Sequence, residues 1–381
     1  MKFISGKRKL IGYLALSLIA YVTGFNSSAS FAADGSVKVV NYKIVMPKKY
    51  QPKGNNGGTD DYRCFLINPK VNSNSILTSI QFIPQNELIV HHAILFRLPA
   101  TDVAKAKALD PNNSGWPCFG GSGVGSMFQS FLTSPWLSAW VPGRKTDVAP
   151  AGYGYPFNKG DYIVLQVHYN LLAAKPGQVL KDQSKIILKA VPQTNSKVKM
   201  LGYELFPAPV ELACSPGVTG KLCDRKQSLM DLAARTSPQS ALEVTGISVL
   251  CNQNPFNPVA SNTSTCDRTM KKSQYVIAAA PHMHLLGRTL KITVNPGTTN
   301  EKILLDNKNY NFDDQSATVL PSPYKLNAGD SVRVECSFDP TLRQKLPVLQ
   351  KLAPKYVTWG EGSSDEMCLG VLITSKEVPA N

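Results

Sequence analysis

The sequence predicts an all-β protein built from two tandem antiparallel β-sandwich, jelly-roll-like domains. Short alternating or apolar runs bounded by Gly, Pro, Asn and Asp recur along the 381 residues, and long stretches of 3.6-residue period are scarce. The chain is also too long for one ordinary core, and its β pattern breaks near the middle.

The runs Val37–Val45, Ile76–Ile83, Ile89–Phe96, Tyr162–Tyr169, Leu242–Leu250, Gln274–Ala279, Thr289–Val294, Ser331–Cys336 and Tyr356–Trp359 each read as strands. Thr101–Leu109 and Lys226–Ala234 read as short helices decorating that framework. The break at Val191–Lys199, Val-Pro-Gln-Thr-Asn-Ser-Lys at its start, sets the expected domains at 33–195 and 196–381. Residues 211–268 hold Cys214, Cys223, Cys251 and Cys266, four prolines and a Ser/Asn/Thr-rich run, and read as a stapled insertion opening the second domain. Four cysteines allow three pairings, and spacing does not choose among them.

Lys2, Lys7, Arg8 and Lys9 precede an apolar run from Leu10 to about Phe25 and then Ser30-Phe31-Ala32-Ala33. That is the layout of a signal peptide spanning residues 1–32, and it predicts a secreted or periplasmic protein. Eight cysteines in an exported chain read as structural disulfides. No later segment approaches the ~20 apolar residues of a membrane span. Net charge is +15, four of it from the leader, but no concentrated Lys/Arg block is present and export argues against nucleic acid as a partner.

All five histidines sit in three tight groups: His91-His92, His168 within Val164-Leu165-Gln166-Val167-His168-Tyr169, and His282-Met283-His284. Side chains alternate along a strand, so His282 and His284 share a face and can reach one metal, whereas Met283 points into a core. Adjacent His91 and His92 can act together only at a bulge or a strand end. In the strand Tyr162–Tyr169, Gln166 and His168 share one face and Ile163, Leu165 and Val167 line the other. Met367 stands beside Cys368, and a thioether is a soft ligand suited to Cu(I) and poor for zinc. Imidazoles with one Met therefore point to redox copper. Zinc hydrolysis is the weaker reading, since Met is a poor zinc ligand and no carboxylate is placed as a base.

The chain resembles the copper type II, ascorbate-dependent monooxygenases, the family of peptidylglycine α-hydroxylating monooxygenase and dopamine β-monooxygenase. The likeness runs in order through Asp61-Tyr62-Arg63-Cys64, His91-His92-Ala93-Ile94-Leu95-Phe96, Trp116-Pro117-Cys118, Ala139-Trp140, Gly152-Tyr153-Gly154-Tyr155, Val164–Tyr169, His282–Arg288 and Gly362–Cys368. The resemblance implies two coppers per chain, one in each domain, facing each other across a solvent-filled cleft. His91, His92 and His168 would hold the electron-supplying copper. His282, His284 and Met367 would hold the copper at which O2 binds and a substrate C–H bond is hydroxylated, with ascorbate or a similar one-electron donor as reductant. It also implies the pairings Cys64 with Cys118 and Cys336 with Cys368, and sets Tyr62 and Gln166 beside the first copper.

The chain departs from the peptide-amidating enzyme at three polar grips for a peptide carboxylate. An Arg two residues before the first His of the His-x-His pair is here Ala280, and an Asn and a Tyr after the ligand Met are Leu369 and Val371. These three are expected to line the substrate pocket and to favour a small neutral or apolar substrate. The alternative function is a non-catalytic copper-binding or delivery protein on the same scaffold, which needs only one of the two ligand sets.

Overall fold

A computed structural model describes residues 38–379, apart from 55–58, 119–120, 125–135, 141–145 and positions 172, 176, 196, 237, 313 and 361. The leader expected at 1–32 lies outside the described residues. Through the first half run β1 (Val40–Val45), β2 (Asp60–Ile67), β3 (Ser75–Ile83), β4 (Val90–Leu98), α1 (Val103–Leu109), β5 (Trp116–Pro117), β6 (Trp136–Trp140), β7 (Asp147–Val148), β8 (Tyr153–Phe157), β9 (Tyr162–Asn170) and β10 (Lys185–Pro192). The second half carries β11 (Lys199–Pro207), β12 (Glu211–Leu212), α2 (Arg225–Arg235), α3 (Pro238–Leu250), β13 (Thr263–Thr269), β14 (Gln274–His282), β15 (Gly287–Val294) and β16 (Lys302–Asn307). It ends with β17 (Thr318–Leu326), β18 (Ser331–Phe338), α4 (Leu342–Lys345), α5 (Pro347–Gln350), β19 (Val357–Thr358) and β20 (Leu369–Ser375).

One long sheet, in the order β1-β10-β3-β8-β11-β20-β14-β17 with β7 beside β3, runs through both halves. A five-stranded sheet, β5-β2-β9-β4-β6, covers its first part, and a four-stranded sheet, β13-β18-β15-β16, covers its second. Each facing pair encloses its own core. Phe65, Leu77, Leu95, Ile163, Leu165, Val167 and Leu188 belong to one, and Val276, Leu290, Ile292, Val334, Leu369 and Leu372 to the other. This is the all-β sandwich architecture that the alternating runs predict. The two parts of the long sheet join where β11 pairs with β8 in parallel at Lys199 and Met200.

Helices α1 and α2 fall where the two short helices are read. Leu242–Leu250 is not a strand but part of α3. Its β-branched Val244, Thr245, Ile247 and Val249 point to a strand, yet the buried positions Ser240, Val244, Ile247 and Ser248 follow a helical spacing, with Leu242 and Val249 left exposed. Packing of that stripe overrides intrinsic propensity.

The disulfides are Cys64–Cys118, Cys214–Cys223, Cys251–Cys266 and Cys336–Cys368. The first and last are the pairs the resemblance implies, and the middle two settle the three-way choice in the insertion. Four such bridges belong to a chain folded in an oxidising compartment. Among the described residues no helix is long and apolar enough to cross a membrane.

Candidate metal centre

β9 is the central strand of the five-stranded sheet and positions the first histidine group. Its residues 163, 165 and 167 face the main core of this half, and Val164 packs in a second cluster with Cys64 and Cys118. Gln166 and His168 are buried on that second face, as the alternation requires. His168 pairs in register with Tyr62 of β2 on one side and with His92 of β4 on the other. The register of β4 against β9 shifts between Val90 and His92. That bulge lets His91 and His92 turn toward the same point. The turn leading into β4 is pinned by the fully buried Asp182, which accepts the N–H groups of Gln85 and Asn86 (both 3.1 Å) and the hydroxyl of Tyr169 (3.1 Å).

The three Nδ1 atoms of His91, His92 and His168 stand 3.2–3.4 Å apart. The centre of a triangle with these sides lies about 1.9 Å from each corner (side divided by √3), close to the ~2.0–2.1 Å of a metal–imidazole bond. At this spacing the nitrogens can share a proton in an N–H···N hydrogen bond, as the tautomer decides, or hold one metal ion. His168 turns its other nitrogen, Nε2, to Asp60 Oδ1 at 2.7 Å, and Asn170 donates to the same oxygen at 3.0 Å. The Tyr62 ring stacks on His168 with centroids 4.0 Å apart.

Burial, reinforced by the neighbouring His168, pushes the His91 imidazole down to about 3, and His92 well below its ordinary value. Both rings are therefore neutral near pH 7 and keep a lone pair for a metal. Burial works against the charge of Asp60, but its bond to His168 holds the carboxyl below its usual range. A carboxylate behind a ligating imidazole fixes the ring's orientation and raises its basicity. Asp60→Ala should weaken copper affinity at the three-histidine group by about 10–100-fold, measured by titration against a chromophoric Cu(I) chelator. Asp60→Asn, which keeps an acceptor, should lose less; equal affinity in all three proteins would refute the role.

The second group lies at the end of β14 and the loop after it. His282, the last residue of the strand, pairs with Leu369 of β20, and Ala280 pairs with Val371. His282 Nδ1 meets Gln315 Oε1 at 2.5 Å, and His284 Nδ1 meets the Asp365 carbonyl oxygen at 3.3 Å. Both partners only accept, so each Nδ1 carries the proton and each Nε2 is left with the lone pair. Burial again lowers both imidazoles, His284 to about 3. Met283 is fully buried in the second core, facing away as the alternation predicts.

His91, His92, His282, His284 and Met367 all border one cavity of about 120 Å³. Phe312 lies between the groups: its ring stacks on His91 at 5.2 Å and meets His284 edge-on at 6.2 Å. One aromatic ring thus touches both histidine groups beside the cavity. Ala280, Leu369 and Val371 line the same cavity. Gln166 lines it too, but its amide donates to the Gly121 carbonyl at 2.8 Å, bracing the loop after Cys118.

Residues 244–375 match the model of the copper type II ascorbate-dependent monooxygenase, C-terminal domain. Through that third of its length, the chain is similar to the copper type II ascorbate-dependent monooxygenases. The matched span contains His282, His284, Met367 and the Cys336–Cys368 bridge. The mouse protein called DBH-like monooxygenase protein 2 is 22% identical over 291 residues, which cover 75% of this chain and 38% of that protein. The chain thus spans about two fifths of that relative's length. Of solved structures, the major capsid protein P2 of bacteriophage PM2 is 8% identical, covers 89% of this chain and 98% of its own, and has a TM-score of 0.26. VP2 of infectious bursal disease virus is 9% identical, covers 89% of this chain and 72% of its own, and has a TM-score of 0.18. Scores this low carry no argument about this chain.

Asp60, Phe312 and Gln315 are site residues that sequence reasoning missed. Asp60 had a signal, since it stands two residues before Tyr62 and so shares its face of β2. Phe312 and Gln315 come from the loop between β16 and β17, where no periodicity reports which side chains turn inward.

Proposed function

We propose that this chain is an exported dicopper monooxygenase that hydroxylates a C–H bond of a small substrate with O2 and a one-electron reductant such as ascorbate. The observation that supports this best is the convergence of two imidazole groups and Met367 on one mostly apolar cavity. His91 and His92 line it with His168 Nδ1 beside them, and His282, His284 and Met367 line it too. A soft thioether favours Cu(I), so the second donor set fits a copper that cycles between two oxidation states. Copper bound there would supply one-electron redox chemistry and the activation of O2.

The chain's own residues hold, orient and exclude. Asp60 and Tyr62 set the His168 ring, Gln315 and the Asp365 carbonyl set the tautomers of His282 and His284, and Ala280, Leu369 and Val371 offer an apolar wall beside His282. An apolar wall binds the hydrocarbon part of a substrate and keeps water from the reacting bond. The overall change places one oxygen atom of O2 in the C–H bond and reduces the other to water, which takes two electrons and two protons from outside. Two molecules of a one-electron donor meet the electron demand.

The test is copper content by elemental analysis of the mature protein, together with ascorbate-dependent O2 uptake. Two coppers per chain and uptake stimulated by candidate substrates are expected. One copper, or two without turnover, would instead identify a copper-binding or delivery protein.

A further inference from the structure

The cysteine-stapled insertion has no part in the chemistry described so far, yet its helix α2 reaches the residues beside Met367. Asp365 and Glu366 are both buried, and their bonds converge on the second histidine group. The Glu366 carboxylate accepts the backbone N–H groups of His284, of Leu286 (2.9 Å) and of Met367 (2.8 Å). The Asp365 carbonyl receives the His284 ring. Three consecutive residues therefore hold the backbone and the imidazole of His284 and carry the thioether.

What holds Asp365 comes largely from elsewhere. Arg235, the last residue of α2, donates to Asp365 Oδ1 at 2.9 Å and Oδ2 at 3.4 Å, and is aimed by Asp231 one turn back at 2.8 Å. Lys355 donates to Asp365 as well, and Arg343 ties down the Ser364 carbonyl at 2.9 Å. Gly360 and Gly362 close over this carboxylate: a Cβ on either would come within 2.9 Å and 2.7 Å of Asp365. Helix α2 is itself anchored to the chain running toward Met367. Cys214–Cys223 staples its approach, Tyr356 N donates to the Leu222 carbonyl at 2.8 Å, and Ser228 Oγ donates to the Tyr356 carbonyl at 2.6 Å.

We propose that the insertion is a brace for the second metal site, with Arg235 as the positioning residue that fixes Asp365-Glu366-Met367 against His284. This rests on reading His282, His284 and Met367 as copper ligands. A buried ion pair adds little stability over apolar packing of the same volume, but it fixes direction. Direction is what a metal site needs from its support.

The test compares wild type, Arg235→Gln, Arg235→Lys and Asp231→Asn, each loaded with Cu(I), by X-ray absorption for copper–sulfur scattering and by chelator competition for affinity. Arg235→Gln should keep the copper of the three-histidine group, lose most of the copper–sulfur signal and bind the second copper at least tenfold more weakly. Arg235→Lys should restore most of both. Asp231→Asn leaves Arg235 and Asp365 paired and should weaken the signal partially, so it carries the test if Arg235→Gln does not fold. Unchanged scattering and affinity in a variant that merely melts earlier would overturn the brace. No copper–sulfur scattering in wild type would overturn the ligand reading itself.

Discussion

Met367→Ala should remove substrate-stimulated, ascorbate-dependent O2 uptake by at least about a hundredfold, more than changes behind a metal ligand usually cost, while one copper stays on the three-histidine group. The Met367 side chain is 4% exposed and borders the cavity shared by both histidine groups. Alanine also empties space, and buried Met→Ala changes cost about 2–5 kcal/mol, so a loss in this variant alone mixes chemistry with packing. Met367→Leu separates them. Leucine keeps nearly the same volume at a cost of under about 1.5 kcal/mol, but it has no soft donor for Cu(I). The expected pattern is a melting temperature near wild type in Met367→Leu with turnover as low as in Met367→Ala. A Met367→Leu protein that turns over like wild type would show that sulfur is not a ligand.

Where side-chain alternation or a ligand's chemical type carries the information, the sequence was a good guide. The buried faces of β9, the inward turn of Met283 and the need for a bulge at His91-His92 all follow from a period of two, and the structure has each of them. Helix α3 was not legible, because its β-branched residues speak for a strand and only tertiary packing of Val244 and Ile247 decides for a helix. The supports of the site were equally hidden. Arg235 and Asp365 are 130 positions apart, and Asp60 and His168 are 108 apart. A pair at that separation is set by how sheets stack and loops return, which no local pattern encodes. Ligands repeat a recognisable chemistry; the residues that orient them answer only to the fold.

The cavity wall gives the second large effect. Ala280 and His282 lie two residues apart on β14, opposite Val371 and Leu369 on β20, so all four turn to one face and line the cavity. Among the described lining residues there is no Lys or Arg, and this wall offers an incoming carboxylate no partner. Ala280→Arg should cut O2 uptake with a neutral apolar substrate at least about tenfold, chiefly through KM, because a guanidinium held in an apolar cavity is costly unless paired. A carboxylate-bearing substrate supplies that pair, so its relative use should rise. Adding Leu369→Asn and Val371→Tyr should strengthen the shift by giving the carboxylate further hydrogen bonds. Ala280→Leu is the control for volume: it should impair both substrates alike, since it narrows the cavity without adding charge. If the arginine variant kept the wild-type ratio of the two substrates, the wall formed by Ala280, Leu369 and Val371 would not be where substrate is read.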